Sequence, residues 1–389
     1  MSVLSSISGA AREVCRQSLL LNSLTQYAYL YGYRPPSFWT GYNGISERYA
    51  NPSGQTQTGQ ARVAFICDEM TWLDFSGCCD AIFLLPGFWR EQMEAFQPDL
   101  LFCESAWSGI EECDGCWRGR VYRNRKVLFE NRKELLAILA YCRERGIRTA
   151  FWNKEDPALF GHRRYDFVDT ALRFDAVFTT AWECVSLYRK LGAKNVALLP
   201  FGVNTDLFYP GTQERRKDSV IFTGSWFADQ KQRCADLSAL LDYVIRQGLQ
   251  LDIYDRHAAS PEQRFRFPKR YRPYLRPAVP YRQIPALMRR YEWAVNVNTV
   301  TDSETMFSRR LLQAAACGAR VLSSPSPGVE RIPGSCRVFL DGVGEALEVI
   351  CDFDTLQSLY STRRLFSGVL KSAMEEIPSV TGKEAIHLP

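Results

Sequence analysis

No run of this 389-residue sequence approaches the ~18 consecutive apolar residues that a membrane-crossing helix requires, so a spanning segment is excluded. The chain opens without the basic start and apolar block of a signal peptide, and the expected location is cytoplasmic, with membrane contact peripheral at most. Charge of one sign is not in excess: 48 basic against 43 acidic residues leave a net charge of +5. That surplus fits an anionic substrate or lipid head and does not by itself argue for nucleic acid. Neither a Walker motif nor G-x-G-x-x-G is present, and no D-x-D stands at a strand end. Histidine is scarce, at 3 residues, whereas cysteine is plentiful, at 13. Cys67 in VAFICDE and Cys103 in DLLFCES lie inside apolar runs and read as small buried hydrophobes, which favours a reducing compartment. The single C-x-x-C, Cys113 and Cys116 in ECDGCW, lacks a second ligand pair at zinc spacing. It reads as a plain loop, and no metal is expected.

An apolar share of 46% and a charged share of 23% describe a soluble globular protein. Its length suits two domains of roughly 150 to 200 residues each. Residues 1–60 form a separate segment: AAREVCRQSLLLNSLTQYAYLYGY predicts an amphipathic helix, and SFWTGYNGISERYANPSGQTQTGQ a polar connector. Packing on the first domain and contact with a partner, an acceptor or a membrane all account for its aromatics. From residue 62, RVAFICDE, AIFLLP, DLLFCES, IRTAFW, DAVFTT and NVALLP are apolar runs of strand length, with helical patterns between several of them. Runs that are apolar without alternation predict a parallel sheet covered on both faces.

After the linker-like PFGVNTDLFYPGTQERRKDS the pattern restarts, with SVIFTG, LQLDIYD, WAVNVNT and ARVLSS as strands. The expected fold is α/β, with two Rossmann-like, doubly wound parallel-sheet domains facing a cleft. The expected divisions are 1–60 for the extension, 61–205 and 206–365 for the two domains, and 366–389 for a segment crossing back to the first. In such sheets ligands gather at the carboxyl ends of the strands.

One stretch beyond such a strand end poses a problem. DSETMFSRRLLQAAACGARVLSS predicts a helix capped by Ser308 or Thr305, ended by Gly318, and opened by Arg309 and Arg310. The positive end of a helix repels cations unless an anion is there as well. A phosphate-bearing ligand resolves the conflict; a solvated surface pair screened by salt is the other reading. A second cationic group follows the first strand of the same domain, in FTGSWFADQKQRCADL. There Gly224 and Ser225 allow close backbone approach, and Lys231 and Arg233 open a helix. Two such turns in one domain suggest a diphosphate held between them.

These segments, with LPFGVNTDLFYP and NVNTVTDSETMFSRRLLQAAACGARVLSS, resemble the CgeB-like glycosyltransferases, a group with the two-domain GT-B fold. The likeness extends to DEMTWLDF, PDLLFCESAW, FWNKEDPALF and FDAVFTTAWECVSLYRKLG, and spans roughly residues 62–340. It implies transfer of a sugar from a nucleotide diphosphate donor, UDP or another, to a hydroxyl acceptor, with retained configuration. No cofactor beyond that co-substrate and no metal is implied. By position, Arg310 matches the arginine that begins the family's alanine-rich helix. Gln313 stands where the family has a ribose-binding glutamate, and Glu304 is one residue out of register with the family's earlier carboxylate. Thr305, Met306 and Phe307 complete the candidate donor-binding set of Gly224, Ser225, Lys231, Arg233, Glu304, Arg309, Arg310 and Gln313.

In the first domain, FWNKEDPALFGH places Lys154, Glu155 and Asp156 beyond a strand, followed by His162. Glu155, Asp156 and His162 are the candidate catalytic residues, since a carboxylate or imidazole there could take a proton from an acceptor hydroxyl. Asp68 and Glu69 in DEMTWLDF, Glu104 and Trp107 in CESAWSG, and Lys154 are the candidate acceptor-binding residues, because acidic groups beside aromatic faces hold sugars. Helix capping accounts for each of them equally well taken singly. The tract 256–283 interleaves arginine with aromatics, so a non-catalytic sugar-nucleotide or nucleic-acid binding protein, or a transferase acting on DNA, is the rival reading. A solvated surface loop is its plain explanation.

Overall fold

The computed structural model describes residues 18–31, 60–113, 115–212 and 215–374. The chain divides into two compact units. The first takes the chain up to Thr180, Cys184–Leu199 and the residues from Phe366; the second takes Ala181–Glu183 and Pro200–Leu365.

The first unit is built on β1 (Arg62–Ile66), β2 (Asp80–Phe83), β3 (Leu100–Glu104), β4 (Arg148–Asn153), β5 (Ala176–Thr179) and β6 (Asn195–Leu198). They form one sheet in the order β2-β1-β3-β4-β5-β6, parallel at every pairing. β2 and β3 are buried along their whole length, as expected of strands covered on both faces. The helices before the second unit are α1 (Leu19–Tyr31), α2 (Glu69–Phe75), α3 (Trp89–Phe96), α4 (Lys133–Arg145), α5 (Phe167–Ala171) and α6 (Trp182–Lys190). α1 packs on the first unit: Asn22 donates to the Lys126 carbonyl at 2.7 Å, and Tyr27 and Tyr31 meet the Phe129 ring at 5.3 and 6.2 Å. The connector predicted after it lies outside the described residues.

The second unit contains β7 (Arg216–Gly224), β8 (Gln250–Asp255), β9 (Leu275–Arg276), β10 (Tyr291–Asn296), β11 (Arg320–Ser323), β12 (Ser335–Leu340) and β13 (Gly344–Val349). Its sheet runs β12-β13-β11-β10-β7-β8-β9. The pairs from β11 to β9 are parallel, but β13 pairs antiparallel with both β11 and β12. The expected parallel sheet is therefore present from β11 to β9, with an antiparallel pair, β12 and β13, added at one edge. A three-residue turn at 341–343 is too short for a crossover, so the chain can only fold back. Its helices are α7 (Lys231–Arg246), α8 (Ile284–Met288), α9 (Arg310–Ala316), α10 (Pro327–Glu330) and α11 (Phe353–Tyr360), and the chain continues into α12 (Thr362–Met374). Leu237, Leu240, Leu241 and Val244, on the buried stripe of α7, pack with Val220, Phe222, Leu251 and Ile253 of the sheet. In the first unit, Phe366 of α12 stacks on Phe75 at 4.8 Å and Phe65 at 5.7 Å. Burying a ring of that size stabilises by roughly 1.5–3 kcal/mol.

Candidate functional site

In the second unit the parallel strands deliver their carboxyl ends to one edge. β7 and β8 are in register to their last residues, Gly224 opposite Asp255, so Ser225 comes out beside Arg256 and His257. β10 and β11 are likewise matched at Asn296 and Ser323. Asn298 then ties the following loop down: its amide nitrogen reaches the Ser324 hydroxyl at 3.2 Å, and its Oδ1 accepts the Ser308 amide at 2.9 Å. Ser303 does the same for Met306, accepting its amide at 3.0 Å.

Arg310 is the first residue of α9, and Arg309 takes the cap position without a side-chain cap bond, so the cap residue is neither Ser308 nor Thr305. The Thr305 hydroxyl instead accepts the Trp182 amide at 2.9 Å. The two arginines also part. Arg309 lies over the Phe201 ring at 4.8 Å, whereas Arg310 lies over Phe222 at 4.7 Å and donates Nε to the Thr223 carbonyl. Nη1 of Arg310 is buried and has no acceptor. Nearby, buried Arg233 donates Nη1 to the Ser225 carbonyl at 3.1 Å. Burial lowers the Arg310 pKa to about 9, helped by the positive fields of Arg233 and Arg256. Burial and Arg256 lower that of Arg233 to about 10. Cations held so close, one of them unsatisfied, leave a place for an anion.

Gly224 is part of this arrangement. A Cβ there would come 2.7 Å from Arg310 Nη2 and 2.8 Å from the Phe222 ring, so only glycine lets the guanidinium lie against the strand end. Gly224→Ala is expected to displace the Arg310 guanidinium and to destabilise the unit by about 1–3 kcal/mol, through overpacking. Urea unfolding of the variant checks this.

The remaining donor candidates are placed differently. Lys231, the first residue of α7, is exposed. Glu304 is exposed and pairs with Arg331 at 3.0 Å. Phe307 is buried against Tyr360. Gln313 is buried and donates to the Tyr281 hydroxyl. His257 was not among the candidates, yet its Nδ1 lies 2.7 Å from the Ser225 hydroxyl. The signal was its position, two residues past the end of β8 and level with Ser225. In the tract 256–283, Phe265, Phe267 and Tyr271 are buried, and Arg264 and Arg270 pair with Asp229, Glu262 and Asp242. Those aromatics serve the core and are not presented for base stacking.

In the first unit, Lys154 Nζ bridges Asp68 at 2.8 Å and Glu104 at 3.0 Å. Asp68 also accepts the backbone amides of Trp107, Ser108 and Gly109. Glu104 is fully buried; its oxygens take the Asp68 amide and the Thr71 hydroxyl. Glu69 accepts the Glu111 amide at 3.1 Å. These carboxylates are thus occupied in fixing the loop that follows β3. Burial would raise the Asp68 pKa, but the charge and hydrogen bond of Lys154 and the Trp107 and Ser108 amides reverse this and hold it below its ordinary value. Its contribution to stability is complete above the ordinary carboxylate range and is lost as pH falls through the lower folded value. Lys154→Met leaves buried carboxylates unpaired. It is expected to reduce stability by about 3–5 kcal/mol and to move acid unfolding to higher pH, read from circular dichroism against pH.

That loop carries Trp107, whose indole N–H donates to Glu155 Oε1 at 2.8 Å. Burial raises the Glu155 pKa, with Asp68 and Glu104 adding to the rise and Lys154 and Trp107 opposing it. Asp156, next in sequence, is fully buried and accepts Asn153 Nδ2 and the Thr179 hydroxyl, both at 2.7 Å. Its environment is that of a structural anchor and not of a base open to substrate. His162 is exposed, and its Nδ1 accepts the amides of Arg164 and Tyr165, so that nitrogen caps its own loop. Cys113 and Cys116, expected in a plain loop, are joined as a disulfide. A Cβ on Gly109 would lie 2.8 Å from Cys113 Sγ. Among the described residues no group of side chains is set to bind a metal, and no helix is long and apolar enough to cross a membrane.

Residues 240–350 match the family model described as glycosyl transferase-like. The matched segment holds Arg256, His257 and Arg310, while Gly224 and Arg233 precede it. No curated protein matches the chain. Among solved structures, the pneumococcal O-GlcNAc transferase GtfA, in complex with UDP and GlcNAc, is similar at 12% identity and a TM-score of 0.38. That likeness covers 74% of this chain, which spans 55% of the transferase. The sucrose-phosphate synthase of Thermosynechococcus elongatus is similar at 11% identity and a TM-score of 0.41, covering 81% of this chain and 92% of that one. An alpha-glucosyltransferase, in complex with UDP and a 13-mer DNA containing a HMU base, gives 10% identity, a TM-score of 0.42 and coverage of 82% and 96%.

Proposed function

We propose that the protein is a glycosyltransferase of the CgeB-like group that moves a sugar from a nucleotide diphosphate donor, with UDP the first candidate, to a hydroxyl acceptor. One observation carries the reading: Arg310 Nη1, buried and without an acceptor, stands in the field of Arg233 and Arg256 at a strand-end edge. An unsatisfied buried cation destabilises the empty protein, and a diphosphate removes that penalty. The match of residues 240–350 to a glycosyl transferase-like model supports the same class of ligand.

In this reading the arginines neutralise the charge that grows on the leaving diphosphate, the task a metal performs in other transferases. Glu155 takes the acceptor proton. Its raised pKa makes it a stronger base than an ordinary carboxylate, and the Trp107 indole orients it. Retention of configuration is part of the proposal and rests on the resemblance alone; the anomeric signal of the product by NMR tests it.

The test is turnover of a panel of sugar nucleotides by purified protein, read as nucleoside diphosphate release with EDTA present. Release is expected for at least one donor, unaffected by EDTA. Glu155→Gln should lower it by about 10²–10⁴-fold with unfolding unchanged. No release from any donor with or without acceptor extracts, or full dependence on added metal, would refute this account of the chemistry.

A further inference from the structure

Ser225 is the residue whose carbonyl Arg233 holds, it follows the glycine against which Arg310 lies, and its side chain ends in one hydroxyl. Its single proton can point in one direction only, and His257 governs which. Nδ1 of His257 is 2.7 Å from Ser225 Oγ. The imidazole is stacked face to face on Phe265, with centroids 4.0 Å apart and planes 7° apart, and Phe227 meets its edge at 5.9 Å. Asp255 accepts the His257 amide at 2.9 Å, fixing the backbone as well. The ring therefore cannot swing away from the hydroxyl without unstacking.

Burial, and then the charges of Arg256 and Arg264, lower the His257 pKa to about 4, so the ring is neutral in ordinary buffers. A neutral imidazole carries one N–H, and the contact with Ser225 can run either way. If Ser225 donates to Nδ1, its oxygen offers the site only lone pairs, which repel an anion. If Nδ1–H donates to Ser225, the hydroxyl proton is released toward the anion. Only the second arrangement adds a donor to the cluster.

We infer that His257 is a positioning residue: as the Nδ1–H tautomer it donates to Ser225 and so directs the Ser225 hydroxyl proton onto the diphosphate held by Arg310. The inference rests on the donor site proposed above. It involves no net proton transfer, because the imidazole proton moves between ring nitrogens by exchange with solvent.

The test uses the full chain and whichever of UDP, GDP, ADP, CDP or TDP binds the wild type most tightly. Calorimetric titration of Ser225→Ala and His257→Phe should each show affinity lowered about ten- to a hundredfold, the worth of a hydrogen bond to a charged group. The double variant should be no weaker than either single one, because both remove the same contact. His257→Asn, whose amide N–H can stand in for Nδ1–H, should keep affinity within a few-fold. In ¹⁵N-histidine spectra of the wild type, which has 3 histidines, nucleotide should give one ring a protonated Nδ1 signal. That readout needs no variant to fold. Unchanged affinity in His257→Phe, additive losses, or an unprotonated Nδ1 in the bound state would overturn the inference while leaving the donor site intact. Failure of every nucleotide to bind the wild type would overturn the donor site itself.

Discussion

Arg310→Met is expected to yield a protein that is more stable than the wild type and unable to bind its donor. Methionine keeps the aliphatic stem of the side chain but removes the guanidinium, which lies over Phe222 and whose Nη1 is buried without an acceptor. Relief of that desolvation should raise the free energy of unfolding by about 1–3 kcal/mol, net of the lost contact with the Thr223 carbonyl. The same change should lower kcat/KM by on the order of a thousandfold or more, since a preorganised cation worth several kcal/mol to a developing phosphate charge is gone. Opposite signs for stability and activity distinguish a binding group from a structural one. Urea unfolding without ligand and turnover of the best donor measure the two sides. A structural arginine would lose both together.

Asp156→Ala is expected to do the reverse of what a catalytic assignment requires, destabilising the first unit by about 3–5 kcal/mol. Asp156 is fully buried; its removal takes a charged acceptor from Asn153 Nδ2 and the Thr179 hydroxyl, which join β4 and β5 just where both strands end. The neighbouring Glu155→Gln should leave unfolding nearly unchanged. Thermal and urea unfolding of the two variants side by side decide the matter: adjacent carboxylates, one part of the scaffold and one available to substrate, should differ by several kcal/mol. Equal stabilities would show that the burial of Asp156 is not what holds the turn.

The contrast between these neighbours marks where sequence reading stops. Strand positions were legible because RVAFICDE, DLLFCES and SVIFTG are short apolar runs bounded by turn residues, and parallel burial leaves few other uses for such runs. β12 and β13 were not, since Cys336, Arg337 and Phe339 put charge and exposure into an edge strand that lacks a continuous apolar run. Pattern also placed Lys154, Glu155, Asp68, Glu104 and Trp107 at strand ends, and the structure brings them together. What it could not supply is which carboxylate is spent on a neighbour. Glu104 and Asp156 differ from Glu155 only in partners that come from distant parts of the chain, such as Thr71 and Thr179. His257 was passed over for the same reason, because its value depends on the register that sets Gly224 opposite Asp255. Arg309 and Arg310 were read as one cationic pair, but successive residues at a helix start point about 100° apart, and each finds a different ring.

The account depends most on Arg310 holding a diphosphate, and calorimetric titration of UDP, GDP and ADP beside their parent nucleosides, into wild type and Arg310→Met, tests it most directly. At least one diphosphate should bind the wild type, its nucleoside at least a hundredfold more weakly, and Arg310→Met should lose that preference. Equal affinity of nucleoside and diphosphate, or undiminished diphosphate binding by Arg310→Met, would contradict it.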